Sequence, residues 1–279
     1  MIPIIWRSAI ILLFLYLFII FIATGCKKYK AVDLQDGSIP MITYKLLRTY
    51  PHDTTSFTEG LLFTRDTLFE STGSPPGLQQ CRSVFGPVSL ETGRIDIKVD
   101  LSRKEYFGEG IAYIDEKFYQ LTYKNRVGLV YDGKTYGVIT EFPIPADEGW
   151  GLTTDGEVLI MSDGSDKLTC FDPLNFQVTR IIAVTDMGTP KKGLNELEFI
   201  KDCIYANFWP GKMILKIDPS NGRIVGKLDL TALADQAEKK YPGSLSMNGI
   251  AYDPGSDHLF ITGKLWPEIY EIELTDPNP

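Results

Sequence analysis

Short runs of β-branched and aromatic residues recur from about residue 42 to residue 274, each closed by a turn signal, and this pattern predicts strands. Gly60-Leu61-Leu62-Phe63 leads through a turn to Leu68-Phe69-Glu70-Ser71-Thr72. The same unit returns at Gly110-Ile111-Ala112-Tyr113, Gly151-Leu152-Thr153-Thr154, Glu196-Leu197-Glu198-Phe199 and Gly249-Ile250-Ala251-Tyr252. The starts at 60, 110, 151, 196 and 249 are 41 to 53 residues apart. A second marker follows the first four hairpins: Leu90-Glu91-Thr92-Gly93, Tyr131-Asp132-Gly133, Phe171-Asp172-Pro173 and Ile217-Asp218-Pro219. Asp132-Gly133, Asp155-Gly156 and Asp163-Gly164 read as hairpin turns. The only convincing helical stretch is the polar segment 231–240, TALADQAEKK, a surface excursion. A four-stranded unit with this period predicts an all-β, five-bladed β-propeller in a single domain. The strand at 42–49 is expected to pair with Ile269–Leu274 and close the ring, which removes exposed strand edges.

Ahead of the repeat, residues 1–25 hold one charge, Arg7, and an apolar run from Ala9 to Ala23, as a secretory signal does. An uncleaved membrane anchor is the alternative for a run of this length. Ala23-Thr24-Gly25-Cys26 resembles the lipobox of bacterial lipoproteins, in which the Cys is lipidated and becomes the new N-terminus. The expected organisation is a signal peptide at 1–25, a tether at 26–41 and the propeller at 42–279. The expected location is the bacterial cell envelope, with the protein anchored to a membrane through lipid on Cys26 and facing the periplasm or the exterior.

Composition narrows the chemistry. The chain has 279 residues, a net charge of −8 and scattered Lys and Arg, which excludes a concentrated basic face for nucleic acid. Its two histidines, His52 and His258, are too few and too far apart for a His-based zinc site, so no metal ligands are assigned. Carboxylates, amines and aromatics are left to do any chemistry. Without Cys26, the odd set Cys81, Cys170 and Cys203 reads as small buried hydrophobes.

Equivalent positions of a propeller converge on one axis, so the residue before each repeat start lies at a common height. Those residues are Glu59, Glu109, Trp150, Asn195 and Asn248, where aliphatic residues would suit a plain core. Tyr123, Trp209 and Lys264 follow at or just past the end of the next strand. Aromatic walls with a few convergent polar groups make this ring mouth a binding-site candidate.

The motifs around these positions resemble the plant-type glutamine cyclotransferases. Tyr50-Pro51-His52-Asp53, Phe57-Thr58-Glu59-Gly60 and Glu70-Ser71-Thr72-Gly73 open the likeness. Tyr106-Phe107-Gly108-Glu109-Gly110, Gln120-Leu121-Thr122, Gly149-Trp150-Gly151-Leu152 and Ser162-Asp163-Gly164-Ser165 continue it. Leu194-Asn195-Glu196-Leu197-Glu198, Ala206-Asn207, Asn248-Gly249-Ile250-Ala251-Tyr252 and Thr262-Gly263-Lys264-Leu265-Trp266-Pro267 complete it, in order, over residues 44 to 273.

The resemblance implies a propeller that closes an N-terminal glutamine of peptides or proteins into pyroglutamate, releasing ammonia without zinc. It implies Glu109 as the proton shuttle, with Lys264 and Asn195 polarising the γ-carbonyl. Phe57, Glu59, Tyr123, Trp150, Trp209 and Asn248 are then the substrate-binding residues. Two positions depart from the plant pattern: Glu59 stands where those enzymes have Gln, and Tyr123 where they have a third Trp. No cofactor is expected; a structural calcium is compatible with the chain but not required for the chemistry. The expected state is a monomer. Two alternatives stand beside this reading: a non-catalytic envelope propeller that binds a partner, and a calcium-dependent propeller hydrolase using Glu59, Glu109, Asn195 and Asn248 as ligands.

Overall fold

A computed structural model of the chain describes residues 38–123 and 125–275; the signal segment and Cys26 lie outside the described residues. The described chain is nearly all β, with one helix, α1 (Thr231–Lys240), where the sequence predicted it. The first unit pairs Thr58–Thr64, Thr67–Thr72 and Val84–Ser89 in order, with two short outer strands. The second runs through Gly108–Ile114, Lys117–Thr122, Val127–Asp132 and Val138–Pro143. The third runs through Leu152–Thr154, Leu159–Ser162, Lys167–Phe171 and Val178–Ala183. The fourth uses Leu194–Ile200, Cys203–Phe208, Met213–Ile217 and Ile224–Asp229.

The fifth unit is completed from the other end of the chain. Met247–Asp253, His258–Gly263 and Glu268–Thr275 receive Met41–Pro51 as their outer strand, antiparallel from Thr43 opposite Thr275 to Pro51 opposite Glu268. This is the expected closure, longer by a few residues. Met41 and Ile42 also pair in parallel with Lys227 and Leu228, which joins the fourth and fifth units in one sheet of eight strands.

The first strands of the units touch one another in cyclic order: 58–64 against 108–114, then 152–154, 194–200, 247–253 and back to 58–64. These inner strands are buried almost throughout, whereas Val138–Pro143 and Val178–Ala183 at the outside are exposed at all but one position. The apolar core lies between neighbouring sheets. Phe69, Phe85 and Phe118 pack first unit on second, and Leu61, Val88, Phe260 and Ile269 pack fifth on first.

Crowding of backbone at the axis explains the glycine that starts most units. A Cβ on Gly110 would sit 2.4 Å from Leu152 N, and one on Gly151 would sit 2.3 Å from Asn195 O. The fourth unit carries Glu196 instead. Its buried carboxylate accepts Leu61 N–H at 3.1 Å and Ile250 N–H at 2.8 Å, holding two other inner strands.

The tight hairpins differ from the expectation. Asp132-Gly133, Asp155-Gly156 and Asp163-Gly164 open longer connections, in which Asp side chains accept backbone N–H groups two or three residues on. The two-residue turns are Arg65-Asp66, Asp115-Glu116 and Lys201-Asp202, with both residues at positive φ. That is type I′ geometry formed without glycine. Cys81, Cys170 and Cys203 are buried free thiols, as expected.

Candidate active site

Each inner strand delivers its leading residue to one end of the ring, and polar side chains of the second strands lock those leads in place. Ser71 Oγ donates to Glu109 O at 2.5 Å, and Ser162 Oγ donates to Asn195 O at 2.6 Å. Gly110 N donates to Trp150 O at 2.8 Å, and Gly249 N donates to Asn207 Oδ1 at 2.9 Å. The polar residues of the Glu-Ser-Thr-Gly, Ser-Asp-Gly-Ser and Ala-Asn motifs therefore serve the mouth from behind.

At that mouth lies a cavity of about 430 Å³. Glu59, Glu109, Asn195 and Lys264 supply its polar groups, and Phe57, Tyr123, Trp150 and Trp209 its predicted aromatic walls. Asn248 does not line it. It is fully buried behind Glu59, with Nδ2 donating to Glu59 Oε2 at 3.1 Å and to Thr58 O at 3.0 Å. Its position in the repeat is as predicted, but its side chain supports a wall residue.

Further lining comes from Phe107, Pro76, Leu245 and Ser246, and Glu148 stands behind the rim; none of these was singled out from the sequence. The signal for Phe107 was present in the Tyr-Phe-Gly-Glu-Gly motif. It makes edge contacts with both Phe57 and Tyr123, at 6.2 and 5.9 Å between ring centroids. Glu148 joins two walls: Oε1 accepts Tyr123 O–H and Oε2 accepts Trp150 Nε1–H, both at 3.1 Å. Trp150 and Trp209 meet edge to face at 6.1 Å. Gly164 is needed beneath Trp150, because it holds φ +77 and a Cβ there would sit 2.5 Å from the indole.

The two carboxylates have opposite surroundings. Lys264 Nζ sits 2.8 Å from Glu59 Oε1 and 4.6 Å from the centroid of Phe57. Burial pushes the Glu59 carboxyl up, while the Lys264 charge and hydrogen bond pull it back toward the ionised form. Glu109 is 4% exposed and holds no such counter-ion, so burial pushes it well above the usual carboxylate range. The Glu59 charge adds to the rise, Lys264 opposes it, and Glu148 adds a little more. Both carboxyls are raised, but Glu109, without the ammonium that Glu59 holds, is raised further, which makes it the better candidate for proton transfer.

Lys264 is itself anchored, with N–H on Ser246 O at 3.0 Å and C=O accepting Leu245 N–H at 2.8 Å. His52, buried below the site, contacts Glu70 at 3.1 Å and Trp266 O at 2.8 Å, and does not line the cavity. Among the described residues no cluster of three or more His, Cys, Asp or Glu is arranged to hold a metal ion.

Comparison with known proteins shows the family. A family model described as glutamine cyclotransferase matches residues 17–274. A glutaminyl-peptide cyclotransferase of Arabidopsis thaliana is 35% identical over 276 residues, covering 98% of this chain and 82% of the plant protein. The crystal structure of Myxococcus xanthus glutaminyl cyclase superposes with a TM-score of 0.77 at 33% identity, over 86% of this chain and all of the other. The chain belongs to the glutamine cyclotransferase family.

Proposed function

We propose that the protein is a glutaminyl-peptide cyclotransferase that converts an N-terminal glutamine of peptides or proteins to pyroglutamate. The observation that carries the reading is a buried carboxyl without a counter-ion, Glu109, sharing one aromatic-walled cavity with Asn195 and Lys264. The α-amine attacks the γ-carboxamide carbon, a C–N bond forms, and the amide C–N bond breaks to release ammonia. Both reactants are tethered, so holding the side chain folded back supplies much of the rate. The phenyl and indole walls do this and exclude water.

The attacking amine, with a pKa of about 7.7–8.0, is readily neutral. Ionised Glu109 takes a proton from the amine as the new bond forms. Protonated, it hands that proton to the departing nitrogen, which leaves as neutral ammonia. Its raised pKa fits both halves of the task. Charge that develops on the γ-oxygen is met by the Asn195 carboxamide and Lys264. Lys264 has three N–H donors and gives one to Glu59, which leaves others for the substrate. Its charge opposes the rise of the Glu109 carboxyl, but burial and the Glu59 charge outweigh it, so Glu109 stays above the usual carboxylate range.

A calcium-dependent hydrolase is disfavoured by the same contacts: an ammonium occupies Glu59, and Asn248 faces away from the cavity. No cofactor is required by the chemistry. We read the fold as a five-bladed propeller spanning residues 42–279; the cyclic contacts of five inner strands and the seam made by Met41–Pro51 support this. Ala23-Thr24-Gly25-Cys26 supports a lipoprotein tethered at a bacterial cell envelope.

Incubation with a Gln-initiated peptide is the direct test: the product should lack one ammonia by mass, and free ammonia should appear in equal amount. An unchanged peptide mass would end the proposal. For the anchor, the wild type should incorporate labelled palmitate and Cys26→Ser should not; equal labelling, or none in either, would end the lipoprotein reading.

A further inference from the structure

The helix α1 has no part in the chemistry above, yet it borders the mouth. A second cavity of about 270 Å³ lies between α1 and the loop that follows Trp209. Its floor is Met247 and Ala234, and its sides carry Gly211, Lys212 and Glu238. Leu245 and Ser246 line both this groove and the catalytic cavity, so the two spaces share one wall. That wall is in fixed register with Lys264 through the two backbone bonds above, and Leu245 O also accepts Trp266 Nε1–H at 2.9 Å. The Leu245 side chain is 48% exposed between the spaces.

The groove also has a charge. Lys212 Nζ is taken by Asp235 at 2.5 Å and stands 4.0 Å from Glu238, leaving the Glu238 carboxylate largely unpaired. Nearby Lys240 is engaged by Glu268 at 2.5 Å. Lys212 is thus drawn to the Asp235 side, and Glu238 is the one carboxylate among the residues that line the groove.

Leu245 and Ser246 give a peptide whose N-terminal glutamine fills the catalytic cavity a path over the shared wall into this groove. An extended chain advances about 3.3–3.6 Å per residue and alternates its side chains. With the second residue over Leu245 and Ser246, the third is the first whose side chain enters the groove. We propose that the groove between α1 and the Trp209–Lys212 loop is a subsite for the peptide downstream of the glutamine, and that Glu238 selects a basic side chain at the third residue. This rests on the cyclotransferase reading, and it gives the helix insertion a task.

The test compares glutaminamide with Gln-Ala-Ala, Gln-Ala-Lys and Gln-Ala-Glu amides at low salt, by ammonia release. In the wild type, kcat/KM should exceed that of glutaminamide for the tripeptides, and Lys should be favoured over Glu about three- to tenfold, the scale of an exposed charge pair made or opposed. Glu238→Lys should invert the Lys-to-Glu preference. Glu157→Lys, the same charge change at an exposed turn between Leu152–Thr154 and Leu159–Ser162, should leave it as in the wild type. Thermal melts confirm that both variants are folded. Equal rates for the Lys and Glu peptides, a preference untouched by Glu238→Lys, or one shifted equally by Glu157→Lys overturns the subsite. Failure to turn over even glutaminamide would overturn the cyclotransferase reading and the subsite with it.

Discussion

Replacing Glu109 by Gln separates catalysis from folding, because the two should move in opposite directions. The side chain keeps its shape and its place in the wall but cannot accept the proton of the attacking amine. Loss of general acid–base transfer costs about 10²–10⁴-fold in kcat/KM, or roughly 3–5 kcal/mol of barrier. Stability follows from the raised pKa. A carboxyl whose folded pKa lies above its unfolded value contributes stability that is complete below the unfolded pKa and is lost as pH rises through the folded one. Above its unfolded pKa the wild-type carboxyl therefore costs stability as a buried acid with no counter-ion of its own, a pH-linked cost that the neutral carboxamide lacks. The gain is about 1.4 kcal/mol for each pKa unit by which folding raises the carboxyl, less whatever the buried carboxamide costs. In a domain of this size each kcal/mol is worth about 2–4 °C of Tm. Ammonia release with a Gln-peptide and a thermal melt of the same sample at pH 8 and pH 5 make the measurement. Activity within tenfold of wild type refutes the proton-shuttle role. Activity lost together with a Tm several degrees lower would refute the account differently, by showing that Glu109 holds the fold.

Lys264→Met should cost about 10²–10³-fold in kcat, as the loss of one oxyanion donor does, and should also lower Tm because Glu59 loses its partner; the same two assays show both. Glu59→Gln removes a negative charge facing Glu109, so the acidic limb of the kcat/KM–pH profile should move to lower pH; an unmoved limb would mean that the two carboxyls do not sense each other. Gly164→Ala must strain a residue at φ +77 and press on Trp150, so KM should rise with a stability loss of about 1–3 kcal/mol, read by kinetics and urea melts. Burial raises the Glu198 pKa to about 8, so its contribution to stability is full below the unfolded value near 4.3 and lost as pH approaches 8. Glu198→Gln should flatten that decline between pH 5 and pH 8 in urea melts, and an equally steep decline would show that another group causes it.

What the sequence disclosed of this molecule followed from its repeat. The inner strands were legible because burial on both faces demands continuous apolar runs, and the glycines before them because the backbones crowd at the axis. The segment at 42–49 was legible as the closing strand only because a ring leaves one partner to find. The turns were misread for a physical reason. Positive φ is cheapest for glycine, so Asp-Gly pairs draw attention, but Arg65-Asp66, Asp115-Glu116 and Lys201-Asp202 reach the same geometry within strands strong enough to impose it. Glu148 was invisible because it acts from a loop, outside the period, and its meaning lies in the Tyr123 and Trp150 donors it joins. Asn248 shows the converse limit: the period gives the height of a residue on the ring, whereas the rotamer decides which way it faces.

That limit bears on why two glutamates at equivalent positions differ so much. Glu59 leads the first unit and Glu109 the second, and nothing local distinguishes Thr-Glu-Gly from Gly-Glu-Gly. Their neighbours around the ring do. Glu59 sits at the seam, where the fifth unit supplies Asn248 and Lys264 as donors at 3.1 and 2.8 Å. Glu109 is followed by the third unit, which brings the Trp150 indole and, beyond it, Glu148, so its surroundings offer burial and like charge. The difference between a paired carboxylate and a proton carrier is thus set by cyclic order, by which unit closes against which. A chain that placed Lys264's counterpart in the third unit would invert the roles. The seam strand Met41–Pro51 matters to the chemistry for the same reason: by pairing with Glu268–Thr275 it seats the unit that holds Lys264 against Glu59, and so leaves Glu109 the unpaired acid.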